Sequence, residues 1–363
     1  MKKICSRCIL DSDFPKITFD ENNVCNYCHN FDKIDIKYAL NKENTEKFLH
    51  LIKIIKDEGK SKEYDCILGV SGGRDSTYCL YLLKKWGLNP LAVHYDNNMD
   101  SKIAAENIKK GCNALDVDLH IFVVDWEEYK DLQRSFLKAS VPSVDIPTDH
   151  AFISVLYAIA YEKKIRYIFN GSSFRTEGPI PPEWSLHNDA SFILDIQKKF
   201  GTKILKNFSI RRLKDLILYR ISGIMVVEPL KYVPYIHDDV EKIITGELGW
   251  QYYGGHHFES IFTRWAFAYL LPKKFGIDKR LTDYSTLVRS RQMTREEALR
   301  KMNEILYPSV QEKEDRRYIM NKLELTHEEM NDILTAPPHS NFDYRHYPLP
   351  IRFLYRLFRP VHF

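Results

Sequence analysis

Five short apolar runs, Asp65 to Val70, Pro90 to Tyr95, Leu119 to Val124, Arg166 to Gly171 and Ile224 to Leu230, alternate with amphipathic stretches. Between the first two, Cys79, Leu82, Leu83 and Trp86 recur at i, i+3, i+4 and i+7, and Ala104, Ile108, Cys112 and Leu115 repeat the device before the third. Strands alternating with crossover helices predict an α/β fold, a doubly wound parallel sheet covered by helices on both faces. At 363 residues the chain exceeds one ordinary domain, so appended modules are expected around that core.

The first run ends in Ser71-Gly72-Gly73-Arg74-Asp75-Ser76, directly before the Cys79 to Trp86 helix. Two glycines let backbone amides approach phosphate oxygens, and the following helix points its positive end at the anion. Ser71, Ser76 and Thr77 add hydroxyl donors. A carboxylate beside phosphates is repulsive unless a cation lies between them, which assigns Asp75 to Mg²⁺. A lone Ser-Gly-Gly is an ordinary turn; the flanking strand, helix and Asp75 argue for a nucleotide site. The loop lacks the GxxxxGK[ST] of a Walker motif. It resembles the SGG-x-DS loop of the PP-loop ATP pyrophosphatases, which cleave ATP between the α and β phosphates. In doubly wound sheets the ligand lies beyond the carboxyl ends of the strands, which directs attention to His94-Tyr95-Asp96 and Asn170-Gly171-Ser172. The resemblance implies a strand order of 3-2-1-4-5, with Asp96 or its neighbours meeting the adenosine and Gly171 with Ser172 bordering the α-phosphate.

Seven cysteines are present, and four of them form Cys5-x-x-Cys8 and Cys25-x-x-Cys28, sixteen residues apart. In a reducing compartment two such knuckles read as a metal site before disulfides. A segment this short cannot bury enough surface to fold alone, whereas zinc bound to four thiolates supplies about 10–16 kcal/mol. Four cysteines close the tetrahedral shell, so the zinc is expected to be structural, with His29 outside it.

Hydrophobic residues at 44% and charged residues at 28% exclude disordered and fibrous classes. A net charge of +4 is too small to predict nucleic-acid binding. No run reaches the length of a membrane span, and the first residues lack the apolar core of a signal peptide, so a cytoplasmic protein is expected. The predicted organisation is a zinc-binding ribbon over 1–32 and a linker helix over 33–62, with Phe48, Leu51, Ile52 and Ile55 on one face. A PP-loop ATP-binding domain over 63–245 follows, interrupted from Phe174 to Gly223 by a Pro-rich turn and a basic helix-like segment. A helical C-terminal substrate-binding region over 246–363 contains a helix from Thr294 to Leu306 and an aromatic, Arg-rich tail.

The stretch Tyr253-Gly254-Gly255-His256-His257-Phe258-Glu259-Ser260 continues to Thr263-Arg264. Pro272-Lys273-Lys274-Phe275-Gly276-Ile277-Asp278-Lys279-Arg280 and Gln292-Met293-Thr294-Arg295 follow it. With Cys-x-x-Cys-Ile-Leu-Asp, Pro147-Thr148-Asp149-His150 and the phosphate loop, these segments resemble the N-acetyl sugar amidotransferase family of surface-polysaccharide (lipopolysaccharide, O-antigen) biosynthesis, from Cys5 to about Pro338. One departure stands out: the family pattern Gly-Gly-Lys-His-x-Glu-Ser is expected to carry a Lys where this chain has His256. The resemblance implies ATP-dependent conversion of a sugar acetamido group to an acetamidino group. Ammonia would come from a HisH-like glutaminase subunit, alone or with a HisF-like cyclase-type subunit, since no glutaminase nucleophile is evident in the chain. A nucleotide-sugar substrate, a homodimer and no nucleic acid complete the expected partners.

Chemically, an amide oxygen leaves poorly until it is transferred to phosphorus, so the acetamido oxygen is expected to attack ATP's α-phosphorus and ammonia to displace AMP. Ammonia must be unprotonated to attack, and His257, Glu259, Asp149 and His150 are the candidate bases. Arg264, Lys274 and Arg280, with Asp278 orienting Arg280 and His256 nearby, are candidates for a sugar carboxylate or phosphates. The basic segment with Lys206, Arg211, Arg212, Lys214 and Arg220 and the tail arginines Arg352, Arg356 and Arg359 suit a partner, RNA or membrane surface, or simply a solvated helix and packed tail. Two other readings stand: a tRNA-modifying, thiolation-type PP-loop enzyme, and a nucleotide-binding zinc adaptor without turnover. The first needs a reactive cysteine, and Cys66, Cys79 and Cys112 fall at predicted core positions.

Overall fold

The computed structural model describes residues 2–186, 189–305, 307–358 and 361–363. Its strands are β1 (Cys66–Gly69), β2 (Pro90–Asp96), β3 (Leu119–Val123), β4 (Tyr167–Phe169), β5 (Met225–Val227) and β6 (Val361–His362). They form one parallel sheet in the order β3-β2-β1-β4-β5-β6. The first five follow the expected doubly wound order. The sixth falls in the segment expected to be a tail: residues 361–362 return to the sheet beside β5, and Phe363 N donates to Val226 O at 2.9 Å.

Alternation along each strand divides two cores between the faces of the sheet. Ile67, Leu91, Val93, Ile168 and Val226 point to a face covered by helices Trp126–Lys138, Ile146–Glu162 and Ala190–Phe200. Cys66, Leu68, Ala92, Phe169 and Val227 point to the opposite face, under helices Lys42–Gly59, Arg74–Lys85, Lys102–Ala114 and His237–Leu248. Cys79, Leu82 and Leu83 are buried as their spacing requires. So are Ala104, Ile108 and Cys112.

Three local expectations change. The linker contains two helices: Asn26–Lys37 springs from the second cysteine knuckle, and Lys42–Gly59 restarts where the Asn41 side chain accepts from Asn44 N at 2.9 Å, an N-cap. The interruption after β4 contains, besides the expected basic helix, which runs Leu213–Ile221, a further helix Ala190–Phe200, whose Phe192 joins the core against Phe136 at a ring separation of 5.7 Å. The helix read from Thr294 runs Arg295–Met302, with Thr294 as its N-cap, and Leu306 lies outside the described residues. Arg359 and the side chain of Arg356 lie outside them as well.

A third core joins the C-terminal helices to the sheet domain. Phe262, Trp265, Leu270, Ile319 and Leu323 pack with Met99, Leu137 and Val144. This packing presses the segment 253–264 over the ends of β1 and β2, where Ser101 N donates to Glu259 O at 2.7 Å. Among the described residues, no helix is long and apolar enough to cross a membrane.

Candidate functional site

The loop after β1 is shaped by its glycines. Gly72 has φ +77°, and a Cβ there would lie 2.2 Å from the backbone oxygen of Ala104. At Gly73 a Cβ would lie 2.1 Å from Glu259 Oε1, so the absent side chain is what lets Glu259 reach the loop. Ser71 and Ser76 close the bend, with Ser71 N donating to Ser76 Oγ at 3.3 Å and Gly73 N to Ser71 Oγ at 3.3 Å. Gly73 is the N-cap of helix Arg74–Lys85, whose first turn lines a cavity of about 370 Å³.

Of the residues expected here, Ser71, Gly73, Asp75, Ser76, Gly171 and Ser172 line that cavity, as do Asp149, His256, His257 and Glu259. Carboxylate oxygens of Asp75 and Glu177 and a ring nitrogen of His256 lie within 4.8 Å of one another. Tyr235 donates its hydroxyl to Asp75. Burial and the neighbouring Asp75 charge push the Glu177 carboxyl well above the usual range. Burial works against a charge on His256, but Asp283 at 3.0 Å, together with Asp75 and Glu177, outweighs it and raises the imidazole to about 9. A compact acidic group of this kind, held beside a phosphate loop, suits a hard divalent cation such as Mg²⁺.

His257 follows in a left-handed conformation, φ +61°, with its ring 3.9 Å from that of His256. Burial, then the charges of His256 and Lys279, hold it well below the ordinary histidine range, so it is a neutral imidazole. Glu259 is raised by burial and accepts from the Tyr253 hydroxyl at 3.0 Å. Across the cavity Asp145 is pushed up to about 7 by burial and by Asp149, and Thr263 Oγ1 donates to it at 2.9 Å.

Other expected residues fall elsewhere. Gly72 turns its carbonyl away, to Trp250 Nε1 at 2.9 Å. Asp96 caps its own turn, accepting from Asn98 N at 2.8 Å, and the wall beside it is made by His94, Tyr95 and Asp100, with His94 Nε2 2.9 Å from Asp100. His150 is fully buried on helix Ile146–Glu162, where its Nε2 accepts from Arg211 N at 2.9 Å. Arg264 forms a bidentate pair with Asp315 at 2.6 and 2.7 Å, and Lys274 donates to the carbonyl of Ile333. Neither of the last two lines this cavity or the next.

A second cavity of about 480 Å³ lies behind the turn 254–257, sharing Arg74, Gly255, His256 and His257 with the first. It is lined by Asp278, Lys279, Arg280 and Lys301 among aromatic side chains. Asp278 orients Arg280 at 2.7 Å. Lys279, whose ammonium lies 3.3 Å from the Phe267 ring centre, is lowered by burial against the pull of Asp149, Asp283, Asp145 and Glu177. The sequence reading missed Glu177, Asp145, Lys279 and Asp283. An acid directly before the Pro-rich turn Gly178 to Pro182, in the segment that follows β4, is the available signal for Glu177.

The four cysteine sulfurs of the ribbon are fully buried, with Sγ–Sγ separations of 3.6 to 3.9 Å between the hydrogen-bonded pairs. A tetrahedron with metal–sulfur bonds of about 2.3 Å has edges of about 3.8 Å, so the cluster fits zinc. His29 is paired with Asp20 at 2.8 Å and is not a ligand. Arg289 reaches Cys8 Sγ at 3.4 Å, and Arg295 donates to the carbonyls of Cys5 and Cys8. Phe14 meets Trp184 at 5.0 Å. The ribbon therefore braces the segments that carry Asp283 and Glu177.

Residues 259–358 match the family model described as LPS biosynthesis protein WbpG-like, C-terminal domain. An uncharacterized protein of Methanocaldococcus jannaschii is 37% identical over 136 residues, covering 37% of this chain and 46% of that protein. A 7-cyano-7-deazaguanine synthase of Campylobacter jejuni subsp. doylei is 36% identical over 102 residues, 28% of this chain and 43% of the enzyme. The chain thus spans less than half the length of these curated relatives. Among solved structures, an NH3-dependent NAD synthetase from Campylobacter jejuni overlaps 75% of this chain and 96% of its own at 16% identity and TM-score 0.33. An NMN synthetase from Francisella tularensis overlaps 78% of this chain and 95% of its own at 12% identity and the same TM-score of 0.33. In agreement with the resemblance read from its motifs, the chain carries, beside its doubly wound sheet and zinc-type ribbon, a C-terminal domain of the WbpG-like LPS biosynthesis family.

Proposed function

We propose that the chain is an ATP-dependent, AMP-forming ligase of the cytoplasm that converts a sugar N-acetyl group to an acetamidino group, using ammonia from a partner glutaminase. The observation that carries this reading is a pair of adjacent cavities, one beside the phosphate loop and the other lined by Lys279, Arg280 and Lys301, with Arg74, Gly255, His256 and His257 lining both. ATP would occupy the first and an anionic sugar the second, so the α-phosphorus and the acetamido oxygen meet at the turn.

Asp75 and Glu177 would hold Mg²⁺, which, when bound, neutralises phosphate charge as pyrophosphate departs. The glycine loop and the first turn of Arg74–Lys85 orient the triphosphate. The sugar oxygen attacks the α-phosphorus, and pyrophosphate leaves. Ammonia then adds to the imidate carbon, AMP departs with the former amide oxygen, and a proton is lost to give the amidine. His257, kept neutral by burial, fits the acceptor of that proton. Glu259 holds the loop side of the turn, and His256⁺ balances the acidic group. Lys279 and Arg280 present the sugar's charge with fixed geometry.

The thiolation reading is weakened by the cysteines. Cys66, Cys79 and Cys112 are buried, and burial raises their thiols, that of Cys112 to about 11. Incubation with Mg-ATP, ammonium chloride and a diacetamido sugar nucleotide tests the proposal. AMP, pyrophosphate and a product lighter by the difference between O and NH are expected. Release of ADP and orthophosphate, or dependence on tRNA, defeats it.

A further inference from the structure

One surface takes no part in either cavity. Helix Leu349–Leu357 leaves Leu349, Phe353 and Leu357 at 79%, 67% and 58% exposure, a four-residue spacing that places all three on one side. Its inward side is fixed: Tyr355 is buried, its hydroxyl donates to Arg211 O at 2.8 Å, and its ring meets that of Tyr347 at 5.5 Å. The chain is also pinned on both sides of the helix, by His346 on Asp189 at 3.0 Å and by β6 in the sheet. The apolar side therefore faces outward by construction, not because the helix is undocked.

Helix Leu213–Ile221 packs against it and exposes Leu218 and Ile221, at 40% and 77%, together with Arg212, Lys214 and Arg220. Residues 206–222 and 344–363 together hold nine Lys and Arg and one Asp, a net +8, while the whole chain carries +4. The remainder is therefore net −4, so positive charge is concentrated in these two segments, and on the two packed helices and their caps Arg212, Lys214, Arg220 and Arg352 are exposed.

We infer that this face docks the protein on an anionic bilayer surface, with Leu349, Phe353 and Leu357 entering the headgroup boundary and the surrounding arginines and lysine meeting lipid phosphates. An exposed apolar stripe flanked by basic residues, without acidic residues in its own helix, is the pattern of an interfacial helix. A second copy of the same face would bring like charges together, and nucleic acid offers nothing to the leucines and phenylalanine.

Sedimentation of the full chain with vesicles of phosphatidylglycerol and phosphatidylcholine in roughly equal parts tests this. The protein is expected to pellet with these vesicles and to remain in solution with phosphatidylcholine alone. Phe353→Ser with Leu357→Ser, and separately Arg212→Glu with Arg220→Glu, are expected to weaken partition about tenfold or more, as added salt also would. Unchanged melting temperature and zinc content show that the variants fold. As a single mild change, Leu349→Cys carrying an environment-sensitive dye is expected to shift to the blue on anionic vesicles, since every native cysteine is buried. Wild-type protein left in the supernatant, no dye shift, or a dimer lost in Phe353→Ser without vesicle binding overturns the inference.

Discussion

His256 Nδ1 lies 3.0 Å from Asp283 Oδ2, and this contact brings a cation to the acidic group formed by Asp75 and Glu177. The His256 imidazole is raised to about 9 from its ordinary value of 6.5. Its folded value is the higher one, so the stabilisation is complete below pH 6.5 and is lost as pH rises through about 9. In Asp283→Asn the ring loses its nearest carboxylate. A proton NMR titration of nucleotide-free protein is expected to place the His256 midpoint at least about one unit lower in the variant.

Asp75 is held by Tyr235 and stands beside Glu177, so it adds repulsion to a half-buried acidic pair. Asp75→Ala should leave the melting temperature unchanged or slightly higher, because Glu177 loses an unfavourable neighbour. AMP formation should nevertheless fall by about a hundredfold or more, the cost of losing electrostatic stabilisation at a transferring phosphoryl group. Turnover retained at the wild-type rate removes Asp75 from the metal role.

The ribbon is held by its cysteines, around which Leu10 and Phe14 pack, with Ile9 and Phe31 also buried. Cys25→Ser opens the shell, and the segment cannot fold on that residual core. Zinc content by mass spectrometry is expected to fall to near zero, and limited proteolysis to cut within residues 2–37. Because Arg289 and Arg295 lose their anchors on the ribbon, helix Arg280–Arg289 with Asp283 should loosen too, and hydrogen exchange there should rise.

The first five strands were legible because each is a run of β-favouring apolar residues, and the phosphate loop because its residues are contiguous and join a strand to a helix. β6 was not legible: two residues, Val361 and His362, give no periodicity, and their pairing with Met225 and Val226 is long-range. The break at Asn41 was hidden within a charged helical stretch, although an Asn before Lys42 is itself an N-cap signal. Asp75, His256, His257 and Glu259 were legible as members of motifs. Glu177 and Asp283 were not, since a single carboxylate acquires meaning only from a neighbour such as His256, 27 positions from Asp283. Arg264 shows the converse: a sequence displays its charge but not Asp315, the partner 51 positions away that occupies it.

Asp145 supplies a pH test of the same cavity. Its carboxyl is raised from 3.8 to about 7 by burial and by the charge of Asp149, so the folded protein binds its proton more tightly than the unfolded chain does. Stability from this group is full below about pH 4 and declines as pH rises through about 7. In Asp145→Asn nothing ionises at the position, and the amide keeps a polar partner for the Thr263 hydroxyl, which donates to Asp145 at 2.9 Å. The variant is expected to melt at the same temperature as the wild type at pH 4.5 and above it at pH 8, by about 1.4 kcal/mol for each unit of the shift that is removed. Denaturant unfolding at a series of pH values measures this directly. Parallel curves for the two proteins would show that Asp145 is ionised in the fold at no cost, and that the cavity wall opposite the phosphate loop is more polar than its burial implies.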